Sequence, residues 1–158
     1  MKPRRRAVSL PALHYRRARS ADIPAMSRIR LSVTENTLSD PGKVTIQMYR
    51  DYLDARGRGW VCCSGRRIVG FAYASRDDAS IWALFIQPGH EGRGIGRKLI
   101  GFAEAWLFGL GAPAITLDTG RGTRAERFYA ASSWLREPDD GGRNVRFRKQ
   151  APLAPPAP

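Results

Sequence analysis

Residues 92–96 alternate glycine with larger residues, and this segment has the composition of an anion-binding loop. It follows an apolar run and precedes residues spaced as in an amphipathic helix. A glycine-rich turn in that position leaves backbone N–H groups free to face an anion, and the positive end of the helix dipole adds to the attraction. Arg93, Arg97 and Lys98 supply further positive charge, which suits a diphosphate better than a single carboxylate. The segment therefore predicts a phosphate-binding site.

Spacing excludes the two best-known loops of this kind. A nucleotide-binding P-loop requires Ser or Thr after its lysine, whereas Lys98 is followed by Leu99. The dinucleotide fingerprint requires a glycine three residues after its second one, whereas position 97 is arginine. The alternative without a ligand is a tight turn whose glycines serve packing alone.

Cys62 and Cys63 are the only cysteines, and their adjacency limits what they can do. Neighbouring cysteines cannot join distant segments, and they lack the spacing of a zinc or redox pair. A covalent role would also need a histidine placed beside the thiol, and no recognisable motif places one. We interpret them as small apolar strand residues in a reducing, cytoplasmic compartment, and we expect no metal site.

The apolar pattern predicts a mixed α/β (α+β) domain that positions the loop. Predicted strands cover residues 13–18, 60–63, 68–74, 81–86, 114–118, 134–137 and 144–148. Predicted helices cover about 23–33, 44–55, 99–110 and 123–131, the last beginning with a capping box. The continuous apolar run 81–86 is typical of a central strand buried on both faces. We expect a mostly antiparallel twisted sheet of six to seven strands with about four helices.

Length and composition favour one folded domain, since 158 residues suffice for a single core. We expect a flexible basic arm over residues 1–12, the domain over 13–150, and a disordered Ala/Pro tail over 151–158. No apolar run approaches the roughly 20 residues of a membrane-spanning helix. The sequence therefore predicts no membrane partner.

Two separated motifs resemble those of the GNAT acetyltransferases. Residues 86–99 are similar to the family's coenzyme A motif, Gln/Arg-x-x-Gly-x-Gly/Ala, with Glu91 at the first position. Residues 122–129 are similar to Asn-x-x-Ala-x-x-Phe-Tyr, with Gly122 in place of Asn, and Ser133-Trp134 stands where the family has Gly-Phe. The element order also agrees, so the resemblance covers about residues 13–148 and implies a GNAT fold.

The resemblance implies acetyl-coenzyme A (acetyl-CoA) as cosubstrate, with direct attack by an amine and no covalent enzyme intermediate. Its diphosphate would lie on the amides of residues 92–97, and its pantetheine arm would pair with the strand that ends at Ile86. The residues implied in cofactor binding are Leu84, Phe85, Ile86, Glu91, Gly92, Arg93, Gly94, Ile95, Gly96, Arg97, Thr123, Arg124 and Phe128.

The resemblance also implies catalytic and acceptor-binding residues. Tyr129 takes the place of a tyrosine that protonates the departing thiolate, and we favour this role over the alternative of a core aromatic. Glu35 is the predicted base, with Asp40 and Asp118 in reserve. The residues implied in acceptor binding are Asn36, Tyr73, Trp82 and Asp118. Core packing or loop formation is the competing interpretation for each of them.

The net charge of +13 raises the possibility of a nucleic-acid partner. Seven basic residues and no acid lie within residues 1–19, whereas the rest of the chain carries 20 basic and 14 acidic side chains. This distribution argues against specific nucleic-acid binding by the domain. We expect a small-molecule or peptide amine as acceptor, and a homodimer is an option that the sequence leaves open. There are two alternatives. One is a non-catalytic acetyl-CoA sensor, which Glu91 and Gly122 suggest. The other is a nucleic-acid-associated protein that uses the basic arm.

Overall fold

A seven-stranded sheet organises the computed structural model, which describes residues 10–33, 47, 50, 53 and 56–153. The strands are β1 (Leu13–Arg17), β2 (Gly57–Ser64), β3 (Arg67–Ser75), β4 (Ser80–Ile86), β5 (Ala114–Gly120), β6 (Leu135–Arg136) and β7 (Asn144–Gln150). The helices are α1 (Ile23–Ser32), α2 (Ile95–Gly109) and α3 (Arg124–Ala131), and a 3-10 turn, Ser20–Asp22, precedes α1. The predicted mixed α/β class is confirmed.

Part of the predicted organisation lies outside the described residues. Gln47, Arg50 and Leu53 are helical, as expected within the predicted helix 44–55, and the rest of that segment is not among the residues described. Residues 1–9, 34–46 and 154–158 are likewise outside them. The predicted boundaries of the arm and the tail therefore stay predictions.

The sheet has the order β1-β2-β3-β4-β5-β7-β6, and β4 and β5 form its parallel pair. β2 with β3 and β6 with β7 form the predicted antiparallel hairpins. β5 and β7 are paired from Ala114↔Gln150 to Gly120↔Asn144. By contrast, the register between β4 and β5 consists of the single pair Ser80↔Thr116. Because these two strands run parallel and meet near the start of β4, they diverge toward their carboxyl ends.

A β-bulge changes the direction of the side chains in the middle of β4. Tyr73 of β3 lies opposite Ala83, but its neighbour Ala74 lies opposite Ile81, so that Trp82 is an extra residue on β4. A bulge of this kind interrupts the alternation of side chains between the two faces. As a result, Ile81 packs on one face of the sheet, whereas Trp82 and Ala83 both pack on the other.

Each face of the sheet has its own hydrophobic core. One core joins α1 to residues such as Phe71 and Tyr73. The other joins α2 and Tyr129 of α3 to β5 and β7, with Phe147 1% exposed. Within the described part of the chain, no helix is both long enough and apolar enough to cross a lipid bilayer.

The expectation that residues 81–86 are buried on both faces is only partly correct. Ile81 and Ala83 are buried, whereas Trp82 and the three residues 84–86 are half-buried. The strand is central, but its partner β5 diverges after the first residue of β4. The apolar side chains that follow therefore line an open cleft.

Candidate active site

The glycine loop, residues 87–94, connects β4 to α2 and ends at the N-terminus of that helix. Gly92 and Gly94 have φ angles of 76° and 78°, in the left-handed region that favours glycine. A Cβ atom at either position would meet nothing within 4 Å, so the space in front of both residues is open. Gly94 is the N-cap, and no side chain of the described residues caps the first turn of α2. The first-turn amides are thus available to an anion.

Positively charged side chains surround this helix end. Arg93 is half-buried, and its Nη1 atom is buried without a hydrogen-bond partner among the described residues. Arg97 and Lys98 are exposed in the first turn of α2. Buried donors are almost always paired, so an unpartnered guanidinium nitrogen on the residue that precedes the N-cap fits an anionic ligand.

Glu91 brings a negative charge into the same loop. Its Oε2 atom accepts a hydrogen bond of 2.8 Å from the N–H of Gly89. Hydrogen bonds from its own N–H and from Gly89 hold the pKa of this carboxyl below its usual range. The side chain therefore folds back onto its own loop as a carboxylate and offers no donor to a ligand.

A cleft of about 410 Å³ opens where β4 and β5 diverge. Its lining comes from α1, β4, β5, α3 and the start of β7, and comprises Arg30, Ile81, Trp82, Ala83, Leu84, Phe85, Leu117, Asp118, Thr119, Gly120, Ala125, Tyr129, Arg143 and Asn144. Beyond Ser80, the edge of β4 that faces this cleft has no partner strand in the register. An extended ligand could hydrogen-bond to that edge as an additional strand would.

Tyr129 lies at the wall of the cleft and is only 5% exposed. Its ring contacts the rings of Phe128, Trp134 and Phe147, with centroid distances of 5.2, 5.9 and 5.9 Å. Burial raises the pKa of the Tyr129 phenol well above its usual value of about 10. The hydroxyl is therefore protonated throughout the neutral range and can act as a proton donor.

Both ends of α3 are fixed by local hydrogen bonds, which hold Tyr129 in place. At the start, Thr123 Oγ1 accepts from the N–H of Glu126 at 3.3 Å, and Glu126 Oε2 accepts from the N–H of Gly122 at 2.5 Å. The Thr123 half of the predicted capping box is thus present, whereas Glu126 accepts from the N–H of Gly122 and not from that of the N-cap. At the end, the N–H groups of Ser132 and Trp134 both donate to the carbonyl of Tyr129. The Trp134 bond is the 6→1 bond of a Schellman motif, and Ser133 occupies the left-handed position with a φ of 66°.

A comparison with protein families decides the identity of this fold. The model described as "Acetyltransferase (GNAT) family" matches residues 23–133. The chain belongs to the GNAT family. Among curated proteins, none has a sequence that matches the chain significantly.

Solved GNAT structures have the same fold at low sequence identity. A GNAT-family acetyltransferase from Staphylococcus aureus is 16% identical with a TM-score of 0.76, over 89% of this chain and 100% of that one. The ribosomal-protein-S18-alanine N-acetyltransferase from Escherichia coli is 15% identical with a TM-score of 0.73, over 92% and 97%. The PaiA N-acetyltransferase from Thermoplasma acidophilum, solved with coenzyme A, is 14% identical with a TM-score of 0.73, over 88% and 99%. At these identities the likeness establishes the fold alone.

Most of the predicted cofactor-binding residues of this GNAT chain lie along one segment that begins in the cleft and continues through the glycine loop into α2. Leu84 and Phe85 line the cleft, Ile86 ends β4, and the glycine loop follows at once. A Cβ atom on Gly96 would lie 3.7 Å from the Phe128 ring, which places α3 beside the start of α2. Ile95, by contrast, is 2% exposed and belongs to the core. Thr123 caps α3, and Arg124 is its first residue.

The predicted acceptor-binding residues are less closely grouped. Trp82 and Asp118 line the cleft. Tyr73 is fully buried behind Trp82, with ring centroids 5.8 Å apart, and supports that residue from the core. The two Asp118 oxygens accept hydrogen bonds of 2.9 and 3.0 Å from Arg146. Glu35 and Asn36, together with the reserve base Asp40, lie outside the described residues.

Arg30 is a cleft residue that the motifs do not identify. Its Cζ atom lies 5.4 Å from the centroid of the Trp82 ring and 5.1 Å from that of Phe85. Arg30 follows directly after Ile29 on the apolar side of α1, which is an unusual position for a charged residue. This position was the one feature of the sequence that could have identified Arg30 as a site residue. Arg143 and Asn144, from the start of β7 and the turn before it, also line the cleft and carry no signal in the local sequence.

Proposed function

We propose that this GNAT protein transfers an acetyl group from acetyl-CoA to a primary amine. The observation that carries the proposal is the position of the uncapped N-terminus of α2, which the glycine loop joins to the strand whose free edge lines the cleft. A single ligand with a diphosphate at one end and an extended arm at the other matches this arrangement. Family membership supports the same activity.

The binding site divides into two parts along the ligand. Amides of residues 92–97 and the guanidinium of Arg93 would hold the diphosphate. The free edge of β4 at residues 84–86 would hydrogen-bond to the pantetheine arm. A backbone N–H of β4 facing the cleft would stabilise negative charge on the acyl oxygen. The thioester of acetyl-CoA supplies the activated acetyl group.

The reaction forms one bond and breaks another without a covalent enzyme intermediate. The amine nitrogen bonds to the acetyl carbon while the carbon–sulfur bond breaks, and the sulfur leaves as a thiolate that takes a proton. Tyr129 would donate that proton, because its raised pKa keeps the phenol protonated at neutral pH. The proposed products are an N-acetylated amine and free coenzyme A.

The acceptor must lose a proton before or during the attack if it arrives as an ammonium ion. Glu35 is our proposed base, acting directly or through water. Asp118 is the reserve candidate in the cleft, although the guanidinium of Arg146 occupies both of its oxygens. A homodimer and a cytoplasmic location remain part of the proposal.

The competing function is a non-catalytic acetyl-CoA sensor, which the back-folded carboxylate of Glu91 favours. Two measurements on the purified chain separate the hypotheses. Calorimetric titration with acetyl-CoA tests the shared cofactor site, and absence of binding would exclude both. Release of free thiol in the presence of an amine panel tests turnover. Binding with amine-dependent thiol release supports the enzyme, whereas binding without it supports the sensor.

A further inference from the structure

We propose that the acceptor amine is a small molecule that also bears a carboxylate, and that Arg30 binds this carboxylate. The inference rests on the proposed acetyl transfer and adds the chemical class of the acceptor. It is carried by the contacts of Arg30 and by the charges of the cleft.

Arg30 has an environment that calls for an anion. Its Nε and Nη1 atoms are buried and have no hydrogen-bond partner in the part of the chain that the structure describes. Leaving buried guanidinium donors unpaired is costly. A guanidinium presents a planar set of donors that matches a carboxylate. An acceptor carboxylate would satisfy the donors that the described protein groups leave open.

Two aromatic rings hold the guanidinium in position before a ligand arrives. Its Cζ atom lies within 5.4 Å of the Trp82 ring centroid and within 5.1 Å of the Phe85 ring centroid. Such cation–π contacts restrict a long, flexible side chain. The bulge in β4 allows the first of these contacts, because it turns Trp82 toward the face covered by α1. The orientation of Arg30 is therefore set by the fold.

A structural role at the end of α1 does not explain these contacts. A cation in the last turn of a helix interacts favourably with the helix dipole, and Arg30 is in that turn. This interaction is available to a solvent-exposed side chain and does not require buried nitrogen atoms. Arg28, two residues earlier, is exposed. The burial of Arg30 against the cleft wall thus points to a ligand.

The other charged groups of the cleft favour the same class of acceptor. Among the described residues that line the cleft, Arg30 and Arg143 are cations and Asp118 is the carboxylate. Asp118 is already bonded to Arg146. A polyamine or another polycation would meet net positive charge, whereas an amino acid presents a matching anion. The cleft of about 410 Å³ would also hold the end of the pantetheine arm, so the part left for the acceptor favours a small molecule.

The test compares amines that differ in one group. L-Methionine and L-phenylalanine would each be assayed beside their primary amides and their decarboxylated amines, with phosphoethanolamine as a phosphate-bearing probe. We expect kcat/KM to be about 10- to 100-fold higher for an acid than for its amide, because the acid gains a charged hydrogen-bonded pair. Higher values for the amides, the decarboxylated amines or phosphoethanolamine would overturn the assignment.

Variants of α1 identify the responsible residue. Arg30→Gln should reduce the acid-to-amide ratio of kcat/KM to near one, mainly through KM, and Arg30→Lys should restore part of it. Arg28→Gln removes the same charge from an exposed position and should keep the wild-type ratio. Equal losses for acids and amides in Arg30→Gln, with Tm and acetyl-CoA affinity also lowered, would indicate a structural role and contradict the proposal.

A binding measurement covers the case in which no probe is acetylated. Tryptophan fluorescence of the coenzyme A-bound protein should change on titration with millimolar L-methionine or L-phenylalanine, and less in Arg30→Gln. No response to either acid would overturn the inference. Failure of the proposed function is distinct, because it would appear as absence of acetyl-CoA binding, or as acetyl-CoA binding without thiol release for any amine of the panel.

Discussion

The cofactor side of the cleft consists largely of consecutive residues, from the end of β4 through the glycine loop to the first turn of α2. The acceptor side instead combines Arg30 of α1, Trp82 at the bulge in β4, and Asp118 of β5. In the proposed function the first side would bind with backbone amides, which every sequence supplies once the glycines set the turn. The second side depends on individual side chains, so it can change without loss of cofactor binding. This contrast explains how one family scaffold serves many acceptors.

The largest effect is expected from a substitution that disrupts the cofactor side alone. Gly94→Glu should abolish measurable acetyl-CoA binding, because it places a carboxylate at the anion site and a side chain at a φ of 78°. Calorimetric titration checks the loss. Gly141→Glu is the matched control, since Gly141 also has a positive φ, 84°, and open space around it. Equal binding losses in both variants would show that backbone strain is the cause.

The next largest effect concerns protonation of the departing thiolate, which is proposed to occur between the two sides. Tyr129→Phe should lower kcat by about 10²- to 10⁴-fold, the usual contribution of general acid catalysis, with little change in the Kd of acetyl-CoA. Because burial raises the phenol pKa above its usual value of about 10, Tyr129 should cause no decline in kcat as the pH rises from 7 to 10. Steady-state kinetics over this range measure both effects. Wild-type kcat in the variant would make Tyr129 a core aromatic only.

A smaller effect is expected from a substitution that strengthens acetyl-CoA binding on the cofactor side. Glu91→Gln removes a negative charge from the glycine loop and restores a residue that the family motif contains. We expect the Kd of acetyl-CoA to decrease by about threefold to fivefold, within the range of a partly exposed charge at a helix N-terminus. Calorimetry at low salt measures the change, and added salt should diminish it. The control is Asp140→Asn, which removes another loop carboxylate that accepts from a backbone N–H and should leave the Kd of acetyl-CoA unaltered. Tighter binding in both variants would mean that the net charge of the protein, and not the position of Glu91, determines the Kd.

The smallest effect is on stability and leaves both sides intact. Ser133→Gly should raise the free energy of unfolding by about 1 kcal/mol, because Ser133 has a φ of 66° that glycine adopts more readily. Urea unfolding checks the increase. Ser133→Ala keeps the same backbone conflict and should bring no gain. A gain in the alanine variant would assign the effect to the side chain.

The contrast between the two sides also sets what the sequence could predict. The glycine loop, the hairpins and the cap of α3 follow from local spacing, and the structure contains all of them. The single pair Ser80↔Thr116, the bulge at Trp82 and the burial of Tyr73 depend on how distant strands meet. The local sequence of β4 is equally compatible with full burial. Arg30 is an intermediate case, because its position beside apolar residues of α1 is visible but its contact with β4 is not.

Glu91 and Ser133 show what a departure from a motif means physically. The sequence shows that both positions differ from the family pattern, but not how the chain accommodates the change. The Glu91 side chain bonds to its own loop, and the Ser133 backbone adopts the left-handed conformation despite its side chain. Both outcomes depend on local hydrogen bonds and sterics that a consensus pattern does not record.

The single residue pair between β4 and β5 also divides the sheet into two separately bonded ladders. Strands β1–β4 form one ladder, and β5, β7 and β6 form the other. The ladders share the core under α2, but few hydrogen bonds join them, so we expect amide hydrogens along the free edge of β4 to exchange with solvent without global unfolding. A ligand that pairs with this edge slows that exchange and couples the two ladders. The occupancy of the cleft should thereby be readable as the exchange rate of backbone amides, without any acetyl transfer taking place.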